Sequence, residues 1–264
     1  VFGTLVLWRD MWPLEFAIYD DYDDKVLFIR IYGDEGQIGY LLPIGIELEQ
    51  ALGIFDSFVQ GPKLFYNVAQ AELETLQRLY GSVSVGKQYS SDDYLYCAES
   101  IAALKGRKLH GQRNHRNYFE RTWTFHFEEV TDANVRDARS FFESFADSKP
   151  SDLFLEGNRK ILEVLDNLDV YQFSSMALYA EGKIIGCTFG KLLGDTLYVS
   201  IEQANRDYRG AYPMLASAFV SAHLDEGALF VNREDDMGDE GLRSSKLAWN
   251  PCEIIEKYSV TVNE

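Results

Sequence analysis

Asn232-Arg233-Glu234-Asp235-Asp236 closes one short apolar run of the sequence, and Glu202 closes another. A carboxylate at a strand end can take a proton from an attacking amine or hold an ammonium group. A guanidinium beside it can meet a phosphate or carboxylate through two parallel hydrogen bonds. The same residues could equally form an internal arginine–carboxylate network that ties two strand ends together. Arg243 and Lys246 are three apart in a helical stretch, hence on one face. There they could converge on an anion, or on the acidic loop of Asp235, Asp236, Asp239 and Glu240 just before them. That loop lacks the alternating acids and distant glutamate of a calcium-binding EF-hand.

A second group is basic. Lys105, Arg107, Lys108, Arg113, Arg116 and Arg121 stand against Glu120 alone, with Asn114, His110 and His115 among them. The stretch reads as a helix joining two halves of the chain. It would either contact phosphate, at about 1 kcal/mol per cation near an anionic surface, or be solvated and paired with acidic neighbours for about 0–1 kcal/mol per pair. The setting is acidic: 25 Lys and Arg against 42 Asp and Glu give −17, which on average repels nucleic acid and anionic lipid. Any such partner must be met by a local patch. His110 and His115 are five apart, unsuited to a helical metal pair, and no metal site is expected. Cys97, Cys187 and Cys252 have no zinc or redox spacing, and their odd number fits a reducing, cytoplasmic compartment. No apolar run approaches the roughly 20 residues that span a bilayer.

Periodicity supplies the elements that must hold these groups. Residues 175–179, 183–193 and 196–202 read as strands joined by turns at Glu181-Gly182 and Gly194-Asp195. A polar loop, 203–212, leads to Pro213 in a first helical turn and to a stripe of Leu215, Ala218, Phe219 and Ala222. Residues 228–232 read as a strand, 241–249 as a helix and 253–262 as one last strand. The first half repeats this order. Strands at 16–19, 25–32 and 37–42, with turns at 20–24 and 33–36, precede a helix marked by Leu48, Ala51, Leu52, Phe55 and Val59. A strand at 63–68, a helix marked by Leu73, Leu76, Leu79 and Tyr80, and a strand opening at 82–85 follow. The second half carries more in front: a strand at 123–130, then a helix capped by Thr131 or Asp132 with Val135, Ala138, Phe141, Phe142 and Phe145. Another helix opens at Asp152 with Ile161, Leu162, Leu165 and Leu168. Matching the halves leaves the first about 40 residues short, so Val1 is expected not to be the biological start.

This element order resembles a tandem pair of GCN5-related N-acetyltransferase folds: α+β, two mixed, mainly antiparallel sheets flanked by helices. The expected division is a first copy at 1–97, a basic linking helix at 98–121 and a second copy at 122–264. In that fold two strands splay apart, acyl-CoA enters the gap, and pyrophosphate rests on the amides opening the next helix. The corresponding place is 206–212, where Gly210 permits close approach and Arg209 could meet a phosphate. The signature is incomplete, since Arg206 stands one residue too far from Gly210.

Finer motifs resemble the phosphatidylglycerol lysyltransferase C-terminal-like family. They are Asp93-Tyr94-Leu95-Tyr96, the run from Leu104-Lys105-Gly106-Arg107-Lys108 to Arg113-Asn114-His115, Ile201-Glu202-Gln203-Ala204 and Gly210-Ala211-Tyr212. Val231-Asn232-Arg233-Glu234-Asp235 and Glu240-Gly241-Leu242-Arg243, with Lys246, Pro251, Lys257 and Tyr258, complete them. The resemblance runs from Trp8 to Tyr258, with Gln112 where a lysine is usual. It implies transfer of an acyl or aminoacyl group, from acyl-CoA or aminoacyl-tRNA, to an amine or hydroxyl. Membrane-anchored members act on a lipid headgroup; soluble members mostly lack an assigned reaction. On this reading Glu202, Arg233, Glu234 and Tyr258, the last as general acid, lie at the reacting centre in the second copy. Arg209, Gly210, Arg243, Lys246, Lys105, Arg107, Lys108, Arg113 and Asn114 would hold the donor's anionic part, with tRNA met through 105–121. The alternative is a non-catalytic module whose groove binds a small anionic metabolite or acidic peptide.

Overall fold

A computed structural model of the chain describes residues 14–21, 24–33, 36–87, 89–146 and 152–263, with the backbone alone at 145–146 and 152–156. Val1, Trp8, the side chain of Phe145 and parts of the turns at 20–24 and 33–36 lie outside the described residues. The chain divides into two compact units that are not consecutive segments. One holds residues up to 93, 235–239 and from 254 onward; the other holds 94–234 and 240–253.

In the first unit, β1 (Leu14–Asp21) and β2 (Asp24–Tyr32) form a hairpin with Phe16 opposite Ile29. β3 (Ile38–Tyr40) pairs with β2 and touches β4 (Lys63–Ala69) in parallel at a single pair, Tyr40 and Phe65. The apolar stripes of α1 (Leu48–Phe58) and α2 (Gln70–Tyr80) recur every three or four residues, so each helix buries one face. Leu52, Phe55, Leu73 and Leu76 pack with Phe65, Val68, Val260 and Val262. With β5 (Val83–Lys87) and β13 (Lys257–Val262), the sheet order is β1-β2-β3-β4-β13-β5.

The second unit begins at β6 (Asp93–Cys97), followed by α3 (Ala98–Ala103), α4 (His110–Thr122) and β7 (Phe125–Glu128). Next come α5 (Val135–Ala146), α6 (Asp152–Asp166) and the short α7 (Leu168–Tyr171). β8 (Ser174–Ala180), β9 (Lys183–Leu193) and β10 (Thr196–Ala204) make an antiparallel meander before α8 (Ala211–Leu224). β11 (Phe230–Asn232), α9 (Glu240–Ala248) and β12 (Glu253–Ile255) complete it. The order is β12-β6-β11-β10-β9-β8-β7, with β10 and β11 parallel.

Helix α8 is the pillar of this unit. It packs on β8, β9 and β10 and is covered by α3 and α4. Contact on both sides explains a departure from the expected stripe: Met214, Ala216, Val220 and His223 are buried as well as Leu215 and Phe219, whereas Ala222 is exposed. Full burial of Leu215 and Phe219 stabilises the fold by about 1.5–3 kcal/mol each.

Three further expectations change. Residues 253–262 are two strands, not one: the chain leaves β12, passes Glu256 and enters the other sheet as β13. β13 sits between β4 and β5 while β6 sits between β11 and β12, so each half of the chain lends a strand to the other half's sheet. The two compact units are accordingly built from non-consecutive segments. The basic segment is helical only from His110; Leu104 and Gly106, at φ of 48° and 90°, bend the chain before it. Finally, the helix expected to be capped by Thr131 or Asp132 starts at Val135. Thr131 opens the turn that leads into it, its carbonyl accepting the Asn134 and Val135 N–H groups and its hydroxyl that of Ala133.

Candidate functional site

β10 and β11 run side by side for only three pairs, from Thr196–Phe230 to Tyr198–Asn232. β11 then ends, while β10 continues to Ala204 against β9. Its register with β9 slips between Val199 and Ile201, leaving Ser200 as the extra residue of a bulge. A bulge bends the strand and re-aims its side chains, here where β10 loses its parallel neighbour.

Two side-chain contacts cross this opening. Arg233 Nη2 donates to Glu202 Oε1 at 2.5 Å, with side chains only 16% and 9% exposed. Ser200 Oγ donates to Glu234 Oε1 at 2.7 Å. The Arg233 guanidinium also lies over Trp249 at 4.9 Å and Tyr96 at 5.9 Å, both buried rings. Burial drives the Glu202 carboxyl above its ordinary range, against the opposing pull of Arg233 and Lys246. Tyr212, in the first turn of α8, belongs to the same neighbourhood: burial raises its hydroxyl, with Glu202 adding to the rise and the Ala204 backbone, Arg206 and Arg233 opposing it.

The turn after β11 is held from three sides. Glu234 has φ 57°, left-handed for a residue with a side chain. Its N–H donates to Asn232 Oδ1 at 2.7 Å, and its carbonyl accepts from the Tyr94 N–H at 3.3 Å and from Lys246 Nζ at 3.1 Å. Lys246 Nζ also donates to the Arg233 carbonyl and lies 5.7 Å from the Tyr94 ring centre. Tyr96 Oη donates to the Lys246 carbonyl at 2.9 Å. Lys246 is thus buried and directed at backbone oxygens, while Arg243 stays partly exposed one helical turn earlier.

The other expected donor-binding residues form a separate surface. Arg209 Nε donates to His115 Nδ1 at 3.2 Å and its guanidinium stacks 5.0 Å from Tyr118. Gly210, at φ 95°, lies directly under α4: a Cβ there would sit 2.1 Å from the His115 carbonyl oxygen. Its freedom therefore serves helix packing. The amides of Tyr208 and Ala211 donate to Asn205 and Tyr208 carbonyls, that of Asp207 donates to Asn205 Oδ1, and Pro213 has none. Arg113 donates to the carbonyls of Leu104 and Gly106, and Arg116 reaches that of Ala102, completing the end of α3. Asn114 Nδ2 faces His110 Nε2 at 2.9 Å. Lys105, Arg107 and Lys108 are exposed.

Tyr258 lies in the first unit on β13, its hydroxyl donating to Glu256 at 2.7 Å, with Lys87 over its ring at 5.8 Å. Among the described residues no group of three or more His, Cys, Asp or Glu is placed to hold a metal ion.

Residues 1–261 match the family described as phosphatidylglycerol lysyltransferase, C-terminal. The chain belongs to this family. An uncharacterised protein of Mycoplasmoides gallisepticum is 29% identical over 270 residues, 99% of this chain and 83% of the relative. A crystal structure of a protein of unknown function from Bacteroides thetaiotaomicron matches with TM-score 0.85 and 26% identity, over 99% of this chain and 90% of that one. L-PGS from Bacillus licheniformis matches with TM-score 0.65 at 15% identity, over 94% and 84% of the two chains. FemX matches with TM-score 0.61 at 7% identity, over 97% and 90%. At such identities the last two share the fold alone. The lysyltransferase C-terminal family thus carries here the tandem acetyltransferase-like fold that the element order implied: two mainly antiparallel sheets flanked by helices. Among the described residues no helix is long and apolar enough to cross a membrane.

Sequence reasoning missed Ser200, Tyr94, Tyr96, Tyr212 and Trp249 as members of this neighbourhood. Tyr94 and Tyr96 carried a usable signal, being two apart on one strand and so on one face. Ser200 carried none, because a bulge is invisible without its partner strand.

Proposed function

We propose that this protein transfers an aminoacyl group from aminoacyl-tRNA to an amine or hydroxyl acceptor, with the reaction at the opening between β10 and β11. The observation that carries this reading is the side-chain bridge across that opening. Arg233–Glu202 and Ser200–Glu234 bridge the opening that a pantetheine arm would have to enter, and they set ionisable groups beside it. That favours an ester donor over acyl-CoA. The covered Gly210 and the committed loop amides point the same way, since they leave little cradle for a pyrophosphate. Aminoacyl transfer demands orientation and stabilisation of a tetrahedral oxyanion more than a protein nucleophile. Lys105, Arg107 and Lys108, exposed ahead of α4, supply a local positive surface for the tRNA backbone despite the net charge of −17. A cytoplasmic site of action follows from the donor. A module for an anionic metabolite draws less support, because Arg233 and Lys246 already donate to protein groups.

The test is discharge of radiolabelled lysyl-tRNA and alanyl-tRNA by the purified chain, with an amine acceptor present or absent and acetyl-CoA as a parallel donor. Acceptor-dependent discharge of an aminoacyl-tRNA supports the reading. Transfer from acetyl-CoA alone, or from neither donor, overturns it.

A further inference from the structure

The contacts around Glu234 are more numerous than its place in a connecting turn requires. Its backbone is left-handed, a conformation that is costly for a side-chain-bearing residue and recurs at functional sites. Three elements hold it there: Asn232 at the end of β11, Tyr94 on β6 and Lys246 on α9. A fourth element, the bulge of β10, departs from regular pairing at Ser200. Their combined result is one contact, Ser200 Oγ donating to Glu234 Oε1 at 2.7 Å, with both residues only partly buried. A tie between strands needs neither a bulge nor a left-handed residue. Here the bulge and the left-handed turn together aim the hydroxyl at the carboxylate.

We propose that Ser200 and Glu234 form the proton-transfer pair of the site, Ser200 receiving a proton from the acceptor and passing its own to Glu234. This rests on the transferase reading above and adds a residue to it. An amine acceptor arrives as an ammonium and must shed two protons in all to become an amide nitrogen bearing one fewer substituent hydrogen than the free amine. The first leaves before attack by the same route, from the ammonium to Ser200 Oγ as the Ser200 proton moves to Glu234, and Glu234 gives it up to solvent; an acceptor that arrives neutral skips this step. The second leaves as the new C–N bond forms: the nitrogen's proton moves to Ser200 Oγ while the Ser200 proton moves to Glu234. As the tetrahedral species collapses, the ester C–O bond breaks and the ribose oxygen leaves with the proton returned by the same pair. No oxidant, reductant or metal is needed, and the enzyme ends in its starting state. Such relays contribute about 10²–10⁴-fold to rate.

The experiment compares two acceptors with wild-type protein, S200A and E234Q, using aminoacyl-tRNA as donor. One acceptor is a primary alkylamine, strongly basic; the other is hydroxylamine, weakly basic and attacking as the neutral species at neutral pH. A proton relay predicts that both variants lose transfer to the alkylamine at least tenfold more than transfer to hydroxylamine, and that S200T restores part of the alkylamine rate. Equal losses with both acceptors would mark a merely structural contact and overturn the proposal, as would no loss with either. Glu234→Gln keeps an oxygen for Ser200 to donate to, so it separates loss of the base from loss of the fold. Wild-type protein that transfers to neither acceptor overturns the transferase reading itself, a result distinct from failure of the pair.

Discussion

Arg233 reaches across the opening between β10 and β11 to Glu202, and each is the other's charged partner in a place where both are largely shielded from water. Neither is a spare charge waiting for a ligand. The pair sets the electrostatics that any substrate entering this opening must meet.

Removing one member should therefore be expensive. Breaking a buried pair from one side costs about 3–5 kcal/mol, because the other charge stays buried and alone. Arg233→Met is expected to lower unfolding stability by roughly the lower end of that range, and the double variant E202Q/R233M to recover part of it. Urea denaturation of the four proteins in the cycle measures this. Additive losses would show that the two side chains do not depend on each other.

The pair also has a pH signature. Burial outweighs Arg233 and Lys246 and raises Glu202 above the free value of 4.5. A carboxyl raised in the folded state binds its proton more tightly there than in the unfolded chain. Its contribution is fully present below the unfolded value and is lost as pH rises through the folded one. The stability of wild-type protein relative to E202Q, which cannot ionise, is thus expected to fall as pH is raised from about 4. A relative stability that climbs instead would mean that the cations outweigh burial.

Gly210→Ala is expected to destabilise the second unit. The new methyl would overlap the His115 carbonyl oxygen at 2.1 Å on a backbone already at φ 95°. Overpacking alone costs about 1–3 kcal/mol, and the left-handed backbone adds to it. A drop in melting temperature with little effect on tRNA affinity at low temperature would place Gly210 in helix packing. Selective loss of ligand affinity in a stable variant would return it to the phosphate-cradle role.

The basic stretch should separate into two classes of cation. Lys105, Arg107 and Lys108 are exposed, so reversing all three to glutamate should leave stability nearly unchanged. It should weaken tRNA binding and flatten its dependence on log salt by roughly 2–3 units, the slope carried by three phosphate contacts. Arg113→Ala should behave oppositely, losing about 1.5–3 kcal/mol of stability because its guanidinium serves the Leu104 and Gly106 carbonyls. Filter binding across a salt series and thermal melts distinguish the two.

Much of this architecture could be read from residue order, for local reasons. β8, β9 and β10 declare themselves through alternation and two-residue turns, and the stripes of α1 and α2 through spacing. Glu202 and Arg233 were singled out from their strand-end positions, and they do meet. What escaped was non-local. Residues 253–262 carry a single uninterrupted strand pattern, and nothing in it tells that β12 and β13 pair with different sheets. Arg113 and Lys246 look like free cations in sequence because the carbonyls they satisfy belong to a neighbouring turn or strand. Trp249 looks like packing until Arg233 is found on its face.

The exchange of β6 and β13 has a consequence for how the protein is made. β13 must enter between β4 and β5, yet Lys257 follows Lys87 by 170 positions. At about 5–20 residues per second, ribosomes emit β4 and β5 on the order of ten to thirty seconds before the strand that joins them. Throughout that interval the nascent first sheet presents two open edges at its middle, where other extended chains can pair. Translation speed and early chaperone cover therefore bear on the yield of this protein more heavily than the stability of either finished sheet would suggest.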